Sequence, residues 1–141
     1  MRILPSIAGG LAGALTVTLI HEILKRTEPD APRMDKLGME AIAKGMEAID
    51  EPVPTKKDLF GMAFAGEIIS NTAYYSLTGL GKRKNATSKG NILGIAAGLG
   101  AIFLPKPMGL SERQTNRTFK TQMLSLGLYM LGGFVASQVT Q

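Results

Sequence analysis

The sequence contains no cysteine and no tryptophan, and His21 is the single histidine among its 141 residues. A chain without cysteine forms no disulfide and offers no thiolate as a metal ligand or nucleophile. One histidine is too few for a zinc site built from several histidines. We therefore expect no metal site and no cofactor.

Motifs of familiar enzymes are also missing. The sequence has no glycine-rich phosphate-binding loop, no dinucleotide fingerprint and no motif that frames a serine nucleophile. His21 and Glu22 match the start of the zinc metalloprotease motif, but Lys25 stands where that motif needs its second histidine. These absences make an enzyme the less favoured class of function.

Four apolar segments dominate what is present. The first, residues 3–24, carries no ionisable side chain before His21 and Glu22. As a helix it is about 33 Å long, and the hydrocarbon core of a bilayer is about 30 Å thick. Three more apolar segments follow, at residues 59–80, 90–104 and 121–139. We therefore predict an all-α integral membrane protein, a four-helix bundle that forms one domain over residues 1–141.

The third apolar segment is the shortest of the four. It stops at Pro105 and has about 15 residues, fewer than the roughly 20 of a full span. A tilted short helix and a re-entrant segment are both compatible with this length.

A charged segment separates the first two apolar segments. Pro29 and Pro32 prevent the first helix from continuing. In residues 36–49, apolar and charged side chains alternate at roughly helical spacing. This pattern predicts an amphipathic helix on the membrane surface or over the bundle, with Asp35 as a suitable N-cap.

Glycines recur four residues apart within the apolar segments. Small residues on one helix face let a second helix approach closely in a membrane. The packing positions predicted in this way are Gly9, Gly13, Gly94, Gly98 and Gly132, and Gly90 belongs to the same row as Gly94 and Gly98. Such faces also favour association with a second copy of the chain or with a partner membrane protein.

The apolar segments show an internal sequence similarity. Residues 7–11, IAGGL, are similar to residues 95–99, IAAGL. Gly61 and Gly66 in the second segment have the same spacing as Gly127 and Gly132 in the fourth. Two tandem helical hairpins would account for both similarities, and the common glycine-rich composition is the alternative explanation.

The chain has a formal net charge of +5. Its basic residues stand beside the apolar segments, as expected for contacts with anionic lipid. No nucleic-acid-binding motif accompanies them, so we expect lipid and no nucleic acid as a partner. The candidates for headgroup contact are Arg33, Lys82, Arg83 and Lys84. For Arg33 the alternative is a stiff turn that anchors the surface helix.

Glu67 is the only charged residue within the second apolar segment. An ionisable group inside a span usually faces the bundle interior and has a partner. Helical spacing places other polar side chains beside it: Ser70, Asn71, either Tyr74 or Tyr75, and Thr78. This polar stripe predicts an ion, proton or headgroup site. The alternative is a neutral Glu67 held by interhelical hydrogen bonds.

His21 and Glu22 form a second polar group near the end of the first segment. They have two interpretations. Either they are hydrated at the membrane interface, or one of them pairs with Glu67 of the next segment as a proton relay.

The glycine-rich first segment, the loop with the sequence PRMDKLGM and the Lys/Asn-rich turn after the second segment resemble those of small, uncharacterised bacterial inner-membrane proteins. The resemblance extends loosely over the whole chain. It implies a location in a bacterial inner membrane and no particular activity.

Three functional hypotheses follow from these features. The leading one is a subunit of a channel or transporter, or an ion- or proton-binding subunit, with a polar interior centred on Glu67 and Asn71. The second is an accessory protein that stabilises a partner complex or organises lipid. The third is a lipid-modifying enzyme that uses Glu67 or Asp35.

Overall fold

The computed structural model of the protein describes residues 2–141, and every regular element in that range is helical. The predicted all-α class is therefore confirmed. The helices are α1 (Ile3–Thr27), α2 (Met34–Ala48), α3 (Lys56–Tyr75), α4 (Ala86–Phe103), α5 (Arg113–Asn116) and α6 (Phe119–Thr140). Two short 3₁₀ turns, Ser76–Gly79 and Arg83–Asn85, join α3 to α4.

The four long helices pack side by side in the order α3, α1, α6, α4. Helix α2 lies on α3, and α5 contacts α2, α4 and α6. Between α3 and α4 the contact is looser. It is made by the turn Ser76–Gly79 and by Tyr74, whose hydroxyl donates a hydrogen bond to the carbonyl of Leu93 at 2.6 Å.

Local sequence signals explain most helix ends. The hydroxyl of Thr55 accepts a hydrogen bond from the backbone N–H of Asp58 at the start of α3, and Thr118 does the same for Thr121 at the start of α6. Such N-caps satisfy N–H groups that have no partner within the helix. Helix α1 ends just before the Pro29 region, as the sequence indicates.

Three details differ from the sequence-based expectation. Helix α4 begins at Ala86 and is 18 residues long, so it is longer than the predicted segment. The predicted 59–80 helix ends as an α-helix at Tyr75 and continues only as a 3₁₀ turn. Asp35 does not cap α2, because it lies inside the first turn and Arg33 occupies the N-cap position.

The interior of the bundle consists largely of small and hydroxyl side chains. Val17, Tyr75 and Leu128 form a core cluster, together with Met34 and Ala136. The buried hydroxyl residues are Ser6, Thr18, Thr78, Thr115, Thr121, Ser125, Ser137 and Thr140. Large apolar side chains instead point outward. On α1 the exposed ones recur at a spacing of four residues: Ile3, Ile7, Leu11, Leu15, Leu19 and Ile23.

Within residues 2–141, α1 and α6 are the two helices long and apolar enough to cross a membrane. Helix α3 begins with three charged residues and contains Glu67, and α4 has a polar first turn. Core helices of soluble proteins also satisfy this criterion of length and composition. The four-span membrane bundle therefore stays a prediction.

The predicted tandem hairpins correspond to α1 with α3 and α4 with α6. In both pairs the glycine contacts show antiparallel helices: Gly10 faces Ser76, and Gly94 faces Met130. A two-fold axis would make the α1–α6 and α3–α4 contacts equivalent. The two contacts differ, because α1 and α6 meet at close backbone range, whereas Tyr74 bridges α3 and α4. The duplication stays a hypothesis.

Candidate functional site

The glycines hold the long helices at short range and so position the site. A Cβ atom added at Gly94 would lie 2.7 Å from the Cα of Met130, and one added at Gly13 would lie 2.7 Å from the carbonyl oxygen of Gly132. Backbone atoms cannot move aside as a flexible side chain can. The close α1–α6 and α4–α6 contacts therefore depend on these positions.

The other predicted packing glycines also lie at contacts. Gly9 faces Thr140 and Ala136, and Gly98 faces Leu126. Gly132 faces Tyr75: a Cβ atom added at Gly132 would lie 2.9 Å from the hydroxyl oxygen of Tyr75. Gly90, in the same spacing-of-four row as Gly94 and Gly98, meets the backbone of Gly133. Gly133 is the member of this pair that the sequence-based list omitted.

A cavity of about 420 Å³ lies between α2, α3 and the end of α4. Tyr129 of α6 also lines it. Most of its wall is apolar, with Met34, Leu37, Ile42, Leu104, Met108 and Leu110 among the lining side chains. The polar groups are few, and Glu67 is the only ionisable carboxyl group among the residues that line it.

Glu67 is the most unusual side chain of this cavity. Its Oε1 atom is buried and makes no hydrogen bond within residues 2–141. One helical turn further on, the side-chain nitrogen of Asn71 is also buried without a partner, as is the hydroxyl of Thr72. Buried polar atoms almost always have partners, because an unpaired one costs about 1–3 kcal/mol. Asn71 and Thr72 do not line the cavity, so Glu67 is the one of these three residues that borders it.

The rest of the predicted stripe is satisfied within the chain. Ser70 also lines the cavity, but its hydroxyl donates to the carbonyl of Gly66 one turn back. Tyr74 bridges to α4, as described above. The hydroxyl of Thr78 donates to the carbonyl of Tyr75 at 2.8 Å and lies 2.9 Å from that of Thr140. These three side chains therefore have structural partners, whereas Glu67 and Asn71 keep unpaired atoms.

Tyr75, the alternative to Tyr74 in the predicted stripe, contacts Tyr129 of α6. The hydroxyl of Tyr75 donates to the backbone carbonyl of Tyr129 at 2.8 Å and ties α3 to α6. The sequence offered either Tyr74 or Tyr75 for this face, and both reach neighbouring helices. Tyr129 has no sequence pattern that marks it as a cavity residue.

His21 anchors α2 to α1. It is buried, and its Nε2 atom accepts a hydrogen bond from the backbone N–H of Met34 at 3.2 Å. The same atom lies 3.6 Å from Asp35, and Nδ1 lies 3.9 Å from Glu22. Within residues 2–141, no hydrogen bond joins His21 or Glu22 to Glu67, so the predicted relay has no direct contact in this arrangement.

Asp35 is the centre of an ion-pair cluster at this end of the bundle. The guanidinium group of Arg33 donates two hydrogen bonds to the carboxylate of Asp35, at 3.0 and 2.8 Å. Lys25 lies 3.6 Å from Asp35 and 2.9 Å from Glu22. Burial alone would raise the pKa of Asp35, but the Arg33 hydrogen bonds and positive charge outweigh it and lower this pKa to about 2. Arg33 therefore anchors the start of α2.

A second cavity, here called the basic cleft, has a volume of about 440 Å³ and lies between the α1–α2 linker and the segment around α5. Its charged lining residues are Lys25, Glu28, Arg33, Lys36, Arg113 and Arg117. The other predicted headgroup residues, Lys82, Arg83 and Lys84, are exposed in the α3–α4 connection. That connection lies at the opposite end, where Arg83 donates a hydrogen bond to the carbonyl of Gln141.

Within the described residues, no group of three or more carboxylate or histidine side chains comes together in a way that would hold a metal ion. Comparisons of the chain with protein-family models, curated proteins and solved structures found no match. The geometry of Glu67 and its cavity is therefore the basis for a functional assignment.

Proposed function

We propose that the protein is a four-span membrane protein that binds a proton or a cation at Glu67, as a subunit of a channel or transporter. The observation that carries this proposal is the buried carboxyl oxygen of Glu67, a residue that lines an apolar cavity; this oxygen has no hydrogen-bond partner within residues 2–141. An intramembrane carboxyl group is commonly part of an ion or proton pathway. The bacterial inner membrane is the proposed location.

The distribution of apolar side chains supports the membrane assignment. Only 39% of the residues in the most apolar window of α1 are buried, and the value for α6 is the same. A core helix of a soluble protein would be mostly buried. The outward faces of α3 and α4 are also apolar: Phe60, Phe64, Ile69, Ile92, Leu99 and Phe103 are exposed. A surface of this kind favours lipid as its surroundings.

The cavity chemistry supports a cationic ligand. Apolar walls give little stabilisation to an anion, whereas a single carboxylate attracts one positive charge. The Glu67 cavity is lined by residues at the α2 end of the bundle and does not run its full length. A complete pathway would therefore need a second copy of the chain or a partner membrane protein, and we propose the homo-oligomer.

The two alternative functions have less support. A lipid-modifying enzyme needs a free carboxylate as base or nucleophile, but both oxygens of Asp35 are held by Arg33. Of the two proposed catalytic carboxylates, only Glu67 would then be free to act as base or nucleophile. An accessory role would be favoured if purification in mild detergent brought down one stoichiometric partner, and a homo-oligomer alone would count against it.

Flux measurements on reconstituted vesicles test the proposal. The wild-type chain should conduct protons or potassium ions above the background of empty vesicles. A pH-sensitive dye reads proton flux under a pH gradient, and it reads potassium flux under a potassium gradient when a protonophore is added. Glu67→Gln keeps the shape of the side chain but removes its charge, so we expect flux to fall to background.

Glu47→Gln is the matched control, because Glu47 is exposed on α2 and makes no ion pair within the described chain. It should retain wild-type flux. Equal flux in wild type and Glu67→Gln, or background flux in all three proteins, would refute the proposed role of Glu67.

A further inference from the structure

We infer that the basic cleft binds a phosphate ester, with Lys36, Arg113 and Arg117 supplying the positive charge. This inference goes beyond the Glu67 site and uses different residues at the end of the bundle where α1 stops.

The charge balance of the basic cleft is the first observation. Its one acidic residue, Glu28, forms an ion pair with Lys120 at 2.8 Å, and the hydrogen bond from Lys120 lowers the pKa of Glu28. Glu28 is therefore ionised and already neutralised. Two of the basic residues, Lys25 and Arg33, are likewise paired, with Glu22 and Asp35.

The three remaining basic residues have no acidic partner. Within residues 2–141, no carboxylate lies within ion-pair distance of Lys36, Arg113 or Arg117. Arg117 donates to the backbone carbonyls of Pro29 and Ala31, at 2.8 and 2.6 Å, which fixes its position but leaves its charge uncompensated. Three unbalanced positive charges converge on one cavity, and a phosphate ester carries one or two negative charges.

The neutral lining groups fit the same ligand. Ser111 and Gln114 line the basic cleft, and their side chains make no hydrogen bond within the described chain. Their backbone groups hold the wall in place: the N–H of Ser111 donates to Glu40, and the carbonyl of Gln114 accepts from Arg33. Arginine forks and hydroxyl donors are the groups that proteins use to bind phosphate oxygens.

Two sources of phosphate ester share this chemistry, a phospholipid headgroup and a soluble phosphate ester. The apolar surface near the basic cleft favours the lipid. At this end of the bundle Ile23 is 60% exposed and Phe119 is 74% exposed, so acyl chains would meet apolar side chains next to the bound headgroup. This choice of source rests on the proposed membrane location, whereas the phosphate chemistry does not.

The experiment has two arms and one double variant. Native mass spectrometry of the detergent-purified chain measures binding of phosphatidylglycerol against phosphatidylcholine, and calorimetric titration measures binding of glycerol 3-phosphate. The variant Lys36→Gln/Arg113→Gln removes two exposed charges and leaves Arg117, which holds the linker, in place. We expect it to weaken binding about tenfold or more.

Lys57→Gln/Lys106→Gln is the matched control, because it removes the same charge from two exposed lysines that lie outside the basic cleft and make no ion pair within the described chain. It should stay within about twofold of wild type. Binding of either probe that is lost only in the Lys36/Arg113 variant supports the inference. Binding of phosphatidylglycerol would identify a lipid headgroup as the ligand, and binding of glycerol 3-phosphate would identify a soluble phosphate ester. No binding of either probe, or an equal loss in both double variants, overturns it. Neither readout depends on Glu67, so failure here is distinct from failure of the flux experiment.

Discussion

Glu67 and Asp35 carry the same functional group in opposite surroundings. Both oxygens of Asp35 are held by Arg33, and Lys25 and His21 lie close by. Glu67 faces an apolar cavity with one buried oxygen unpaired. A carboxylate whose partners are all supplied by the protein stabilises the fold, whereas one with an open position can bind something else. This difference separates a structural site from a candidate functional site.

The Asp35 cluster predicts a pH-dependent stability. Because its pKa is lowered from 3.8 to about 2 in the folded chain, its contribution is fully present above pH 4 and disappears as the pH falls from 4 to 2. A shift of this size corresponds to about 2 kcal/mol. Asp35→Asn should therefore lower the free energy of unfolding by about that amount at pH 7, with little difference from wild type at pH 2.

Denaturant titrations followed by circular dichroism, in detergent at both pH values, would measure this effect. Asp50→Asn is the matched control, since Asp50 is exposed and its positive φ of 58° is one that asparagine tolerates. A loss of stability in Asp35→Asn that is the same at pH 7 and pH 2 would show that its ionised carboxylate is not what stabilises the cluster.

Helix packing in this bundle depends on where the glycines lie. Gly94 meets the α6 backbone, whereas at Gly127, on the exposed side of α6, an added Cβ would have no atom of residues 2–141 within 4 Å. Gly94→Ala should therefore lower stability by about 1–3 kcal/mol, because α4 and α6 must move apart. Gly127→Ala should be neutral or stabilise by up to about 1 kcal/mol, because alanine favours a helix.

Thermal unfolding of the two alanine variants in the same detergent would compare them directly. Equal melting temperatures, or a more stable Gly94→Ala, would mean that α4 does not approach α6 as closely as the Gly94 contact requires.

The sequence was a good guide to helices and to packing glycines, because both depend on local pattern. Prolines after α1 and apolar runs locate the helices, and the spacing of Gly9 and Gly13 identifies a packing face. Contacts made by distant parts of the chain could not be predicted. The partner of His21 is a backbone N–H thirteen residues away, and the cluster around Asp35 forms only because the linker folds back onto α1.

The end of α3 illustrates the same limit. Apolar composition continues to Leu80, so the sequence predicts one long helix. In the folded chain the α-helix changes to a 3₁₀ turn after Tyr75, and Gly79 packs directly against Ser6 of α1. The contact of Gly79 with Ser6 joins this turn to α1, a distant part of the chain that local composition does not reveal. Likewise, the amphipathic pattern of residues 36–49 allows a helix over the bundle, but it does not specify that α2 packs on α3 and forms the wall of the Glu67 cavity.

The whole molecule distributes its residues in a way that predicts where it resides. Hydroxyl side chains and glycines fill the interior, and rows of leucine and isoleucine cover the outside. If lipid surrounds α1, a charge in the middle of its outer face opposes insertion by about 2.5–3.5 kcal/mol. If water surrounds α1, a charge at the same exposed position changes stability by less than about 0.5 kcal/mol. One substitution therefore distinguishes the two environments.

Leu15→Arg provides that test, because Leu15 is 39% exposed near the centre of α1. We expect the fraction of chain that stays in the membrane pellet after alkaline carbonate washing to fall several-fold. Ile49→Arg is the control: Ile49 is 67% exposed but follows α2, outside the four long helices, so its pellet fraction should match wild type. A wild-type chain that is washed free of the membrane, or a Leu15→Arg chain that is retained as well as wild type, would contradict the lipid-facing assignment of α1. The proposed role of Glu67 as an intramembrane carboxylate would then lose its basis.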